Sequence, residues 1–128
     1  LAMRVRKQYQ MSLAEQRERL QALAQDAVNR RDWAAALQHA TTLVQQFPNS
    51  PEAEALRLQL PQLQENSEIQ TRKRMESQIH DLVRQRRFDA ALRIANDVID
   101  RYPHSPQAEA LRGQLPKLRE AAAALSNY

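Results

Sequence analysis

Residues 47–63 read FPNSPEAEALRLQLPQL, and residues 102–118 read YPHSPQAEALRGQLPKL. The second stretch repeats the first at an offset of 55 residues (102 − 47). The register extends in both directions. Trp33 falls on Phe88, Leu37 on Leu92 and Ala40 on Ala95, while Pro61 and Leu63 fall on Pro116 and Leu118. Further upstream, Asp26 and Val28 match Asp81 and Val83, and Ser12 matches Ser67. Just over half of the positions in 33–65 recur in 88–120, without a gap. Self-similarity at a fixed period marks stacked supersecondary units.

The repeated words are punctuation between helices. Leu37, Ala40, Leu43 and Val44 share one helical face, as do Leu92, Ala95, Val98 and Ile99. Leu20, Leu23, Ala24, Ala27 and Val28 form an earlier apolar stripe, answered by Met75, Ile79, Leu82 and Val83. One helix therefore ends near Arg30-Arg31 and the next starts after Asp32-Trp33, with the matching break around Arg87-Phe88-Asp89. Phe47 and Tyr102 close the second helix of each unit, because the following proline disfavours helical geometry in the residue before it. Ser50 and Ser105 are placed as N-caps, with Pro51 and Pro106 at the first helical position. Glu52 and Glu54 suit the positive end of that third helix.

The composition agrees. The 128 residues carry no cysteine and a single glycine, Gly113, so disulfides, thiolate metal sites and Gly-rich phosphate loops lack material. Strong helix formers dominate. The expected fold is all-α, an α-solenoid of two 55-residue repeats spanning about 12–66 and 67–121, with about five helices. The third is expected to run on into the first helix of the next unit. Pro61 should kink it, since an interior proline removes a hydrogen bond and crowds the carbonyl four residues back. The alternative is a full break at Asn66-Ser67, where Ser67 and Gln70 read as a capping box, as Ser12 and Glu15 do upstream.

Small residues, then W/F-x-x-A-L-x-x-A, then an aromatic-Pro turn resemble the tetratricopeptide repeat. Trp33, Ala36, Leu37, Ala40, Leu43 and Pro48 sit where that family keeps its second helix and terminal proline, and Phe88, Ala91, Leu92, Ala95, Val98 and Pro103 repeat the match. The F/Y-P-x-S-P-x-A-E-A wording is similar to tetratricopeptide proteins of bacterial envelopes and their coiled-coil-fused relatives. The resemblance covers about two thirds of the chain. It departs in its period, 55 residues against about 34, and in the large Ile79 opposite Ala24. It implies a curved stack whose concave face holds a peptide or helix of another protein. Helical geometry then selects Gln21, Gln25, Asn29, His80 and Arg84 on the first helix of each unit as the candidate partner-binding residues. The family's Lys/Asn/Arg carboxylate clamp is not recognisable.

Chemistry is sparse. His39, His80 and His104 align with Ile94, Gln25 and Asn49, and none stands at metal-ligand spacing from another ligand. Asp26 and Asp81 recur, but pairing with Arg30 and Arg31, or with Arg84, explains them better than a catalytic dyad. No nucleophile elbow, phosphate loop or Ser/His/Asp grouping is present, so neither catalysis nor a metal or cofactor is expected.

Lys and Arg total 19 against 15 Asp and Glu, a net charge of +4. Arg72-Lys73-Arg74 and Arg84–Arg87 could face phosphate, yet Glu65, Glu68, Glu76 and Asp81 interleave, and aromatic residues are only 5%. Nucleic acid is the less favoured partner. Residues 1–11 open apolar and turn basic at Arg4, Arg6 and Lys7, as chains do on the cytoplasmic side of a membrane-spanning helix. The competing reading of Leu1-Ala2-Met3 is a cloning scar. The expected setting is cytoplasmic, or the cytoplasmic part of a larger membrane-anchored protein that touches the membrane through this basic segment. Three functions follow: a protein-interaction module, a self-associating helical assembly or homodimer that uses the seven-residue spacing of Leu13, Leu20 and Ala27, and a basic adaptor for nucleic acid or an anionic membrane.

Overall fold

The computed structural model describes residues 12–126. They form α1 (Leu13–Asn29), α2 (Trp33–Gln46), α3 (Pro51–Arg84), α4 (Phe88–Arg101) and α5 (Pro106–Ser126), and among the described residues there is no strand. No described helix is long and apolar enough to cross a membrane. The basic segment 1–11 and the aromatics Tyr9 and Tyr128 lie outside the described residues.

Backbone contacts divide the chain into two compact units that meet within α3, the first ending at Glu68 and the second beginning at Ile69. The first unit packs Ala27 of α1, Ala36, Ala40 and Leu43 of α2, and Ala53, Leu56 and Leu63 of α3 into one cluster. Leu20, Val28 and Trp33 lie against it. The second unit packs Met75 and Ile79 of α3, Ala91, Ala95 and Val98 of α4, and Leu111 of α5. The largest fully buried side chains are Leu43 and Val98, which stand 55 residues apart. Ala27 is fully buried and Leu20 packs on the same cluster, so only Leu13 of the seven-residue series stays free, at 63% exposure.

The α1–α2 turn is a Schellman motif. Asp32 N–H donates to the Ala27 carbonyl at 2.9 Å and Arg31 N–H to the Val28 carbonyl at 3.0 Å, with Arg31 at φ 57°. The α3–α4 turn repeats every part: Arg87 N–H to Leu82 at 2.8 Å, Arg86 N–H to Val83 at 3.0 Å, and Arg86 at φ 61°. This left-handed position usually takes glycine, and an L side chain there costs about 1–2 kcal/mol.

The α2–α3 and α4–α5 turns also coincide. Phe47 stands at φ −131°, ψ 58°, and Tyr102 at φ −132°, ψ 60°. The Ser50 hydroxyl donates to the Phe47 carbonyl at 2.8 Å and accepts from Ala53 N–H at 3.1 Å. Ser105 does the same with Tyr102 at 2.7 Å and Ala108 at 3.1 Å. Arg57 and Arg112 each donate to a proline carbonyl nine residues back, Pro48 at 2.8 Å and Pro103 at 2.7 Å.

α3 is one helix of 34 residues with Pro61 inside it, and the alternative break at Asn66-Ser67 does not occur. Pro61 and Arg57 are both exposed, so water can reach the Arg57 carbonyl that the ring deprives of a donor. On the opposite side, Leu56 and Leu63 remain buried, and their packing keeps the residues helical through the proline. In α5, Gly113 has nothing within 4 Å of where a Cβ would stand, and its counterpart Leu58 is 84% exposed.

One capping difference separates the units. The Asp32 side chain accepts from Ala35 N–H at 3.2 Å, whereas Arg87, at the matching N-cap, makes no side-chain cap. Their backbones are alike, φ −89°, ψ 83° against φ −94°, ψ 68°. Arg87→Asp should therefore raise stability by about 1 kcal/mol, and Asp32→Ala should lower it by a similar amount. Urea denaturation of the two variants beside the parent chain measures both.

Candidate partner-binding groove

The five sequence-selected residues divide between the units. Gln21, Gln25 and Asn29 are exposed at four-residue spacing on α1, and Gln25 Nε2 donates to Asn29 Oδ1 at 3.0 Å. His80 and Arg84 are exposed on the second-unit part of α3. Of the five, His80 lines the groove between α3 and α5. Asp26 accepts from Arg30 at 3.0 Å, as its spacing predicts. Among the described residues Asp81 forms no ion pair with Arg84, and Gln85 stands where Arg30 does in the first unit.

The cavity is an open groove of about 640 Å³ between α3 and α5 in the second unit. Ile79, Val83, Ala110 and Leu111 make its apolar floor. Lys73, Glu76, Ser77, His80, Gln107 and Gln114 supply its polar rim. An apolar floor with a few polar groups around it is the usual make-up of a recognition site. Among the described residues no three His, Cys, Asp or Glu side chains gather as a metal site would require.

Beside each unit's aromatic helix end lies a half-buried arginine that the helical pattern does not single out. Arg17 lies over the Phe47 ring at 5.8 Å, and its Nε faces Glu52 Oε2 at 3.5 Å. Arg72 lies over the Tyr102 ring at 5.3 Å. Arg17 and Arg72 are 55 residues apart, as are Phe47 and Tyr102, and Glu52 and Gln107. That identity was the available signal, but Arg72 reads as part of the basic run Arg72-Lys73-Arg74. The helix disperses this run: Arg72 is half-buried on its ring, Lys73 edges the groove, and Arg74 is exposed. A second cation joins Tyr102, with Arg101 at 5.2 Å from the ring and its Nη2 3.2 Å from the phenol oxygen. Arg101 also meets Asp97 at 3.5 Å.

No family model matches the chain, and no curated protein or solved structure matches it. The tetratricopeptide resemblance thus rests on the residues themselves.

Phe47 has no hydroxyl, yet Arg17 lies over its ring in the first unit, so the stack does not need the phenol oxygen. Tyr102→Phe should then change stability by less than about 0.5 kcal/mol, since it removes only an exposed contact with Arg101. Tyr102→Ala should cost about 2–3 kcal/mol by emptying a packed position. Thermal and urea unfolding of the two variants distinguishes a ring-centred stack from one held by the hydroxyl.

Proposed function

We propose that this chain is a non-catalytic protein–protein interaction module of tetratricopeptide-like type, working as part of a scaffold. The carrying observation is the second-unit groove between two helices, where half-buried Val83 and exposed Ala110 lie beside the buried Ile79 and Leu111. A floor of this chemistry gains free energy when a partner's apolar side chains displace its water, at about 25 cal/mol per Å² of apolar surface covered. The rim residues then fix the orientation of the bound segment through hydrogen bonds. His80, the one sequence-selected residue on the rim, belongs to this reading; Gln21, Gln25, Asn29 and Arg84 are its outlying members.

Self-association is the second reading, favoured by the exposure of Leu13 and Leu58. It predicts a concentration-dependent mass in light scattering, and a strict monomer sinks it.

The groove reading is tested by co-purification from the native host after nuclease treatment, at two salt concentrations, with the parent chain and Ala110→Arg. Ala110 is exposed on the groove floor, so a long side chain there fills the groove without disturbing the core. The expected result is a protein retained by the parent chain at both salts and lost by the variant. Equal retention by Ala110→Arg overturns the groove as the binding face. Recovery of only nucleic acid or lipid, released at high salt, favours the basic-adaptor reading.

A further inference from the structure

The two units build the same arginine–aromatic stack and complete it differently. In the first, Glu52 stands beside Arg17, and both side chains are about three-quarters buried, at 29% and 23% exposure. Arg17 Nε and Glu52 Oε2 are themselves out of solvent and not hydrogen-bonded, so the 3.5 Å contact is ionic: charge meets charge. In the second unit Gln107 replaces that acid. Arg72 Nε and Gln107 Oε1 are likewise buried, and neither has a hydrogen-bond partner. Among the described residues Arg72 has no ion-pair partner. A neutral amide cannot cancel the guanidinium's charge, and a partly buried cation without a counter-charge is an unfavourable arrangement that an incoming anion relieves.

Gln107 also lines the groove, and so does Lys73, the residue next to Arg72. Glu76 is the one acid among the groove's lining residues. Gln107, the counterpart of the Glu52 that faces Arg17, thus belongs to the groove's lining, which carries one acid, Glu76, and one formal cation, Lys73. Resting on the groove reading above, we infer that the partner is a protein segment that lays apolar side chains on Ile79, Val83 and Leu111 and brings an Asp or Glu carboxylate to Arg72. It supplies in trans the charge that Glu52 supplies within the first unit.

The test pans the full chain against a random peptide library displayed on phage. Enriched peptides are then titrated into methyl-labelled parent chain, Gln107→Glu and Arg72→Gln, with shifts followed at Ile79, Val83 and Leu111. The expected result is enrichment of Asp or Glu at a fixed spacing from an apolar residue. Affinity should fall by roughly tenfold in either variant, or when the peptide's acid becomes its amide. Gln107→Glu installs the first unit's own residue, so it carries the test by itself if Arg72→Gln loses its fold. Peptides that shift the groove methyls without preference for an acid, or that bind Gln107→Glu as tightly as the parent, overturn the inference and leave the groove reading standing. If no enriched peptide shifts those methyls, the groove reading falls and the inference with it. Oligonucleotides that shift Arg72 and Tyr102 resonances while no peptide does would assign the cation to phosphate, which also overturns it.

Discussion

Alanine sets the spacing of these helices. Ala27, Ala36, Ala40 and Ala53 in the first unit, and Ala91, Ala95 and Ala108 in the second, are all fully buried. A methyl side chain lets two helix backbones approach at the short end of the usual 8–10 Å range. Each such contact contributes little apolar area, on the order of 0.8 kcal/mol per buried methylene-sized group. The cores therefore rely on many close contacts rather than a few large side chains, and among the described residues Leu43 and Val98 are the largest that are fully enclosed. Close approach of this kind leaves little latitude in how each chain reversal is made. The backbone and serine hydrogen bonds that the matching turns share agree between the units to within about 0.1 Å.

Much of this was legible from residue order alone. Pro48 and Pro103 excluded helix, Ser50 and Ser105 offered caps, and the apolar stripes bounded α2 and α4 to within a residue or two. These are local signals whose physics acts over one turn. The residue pattern favours a near-continuous α3 kinked at Pro61, yet Asn66-Ser67 carries a real capping signal. It yielded because Leu56, Leu63, Met75 and Ile79 are buried along the same helix, and burial outweighs a single cap. The left-handed arginines were illegible, since nothing in Arg31 or Arg86 asks for positive φ. The tight Schellman closures impose it.

The groove and the stacks were less visible still, for a different reason. Both join side chains more than 25 positions apart, Arg72 with Tyr102 and Ile79 with Leu111. Helical periodicity reports which face a residue occupies, not what stands opposite it. It brought His80 to the groove and could not separate it from Gln21 or Arg84. Comparing the two units position by position does better. Where they agree, the residue serves the shared scaffold, as Ser50 and Ser105 do at the helix caps and Arg17 and Arg72 on their rings. Where they differ on a shared scaffold, as at Glu52 and Gln107, chemistry has changed while geometry has been kept.

Gly113 illustrates that division in a practical way. It sits within α5 with ordinary helical φ and open space where a side chain would begin, and its counterpart Leu58 projects almost wholly into water. The chain has no cysteine. A thiol placed at 113 would be its sole reactive sulfur, on a rigid helix whose other face carries Leu111 and the groove. A fluorophore or spin label attached there would report on the groove from its edge, since Ala110 and Gln114 of the lining flank position 113 on the helix.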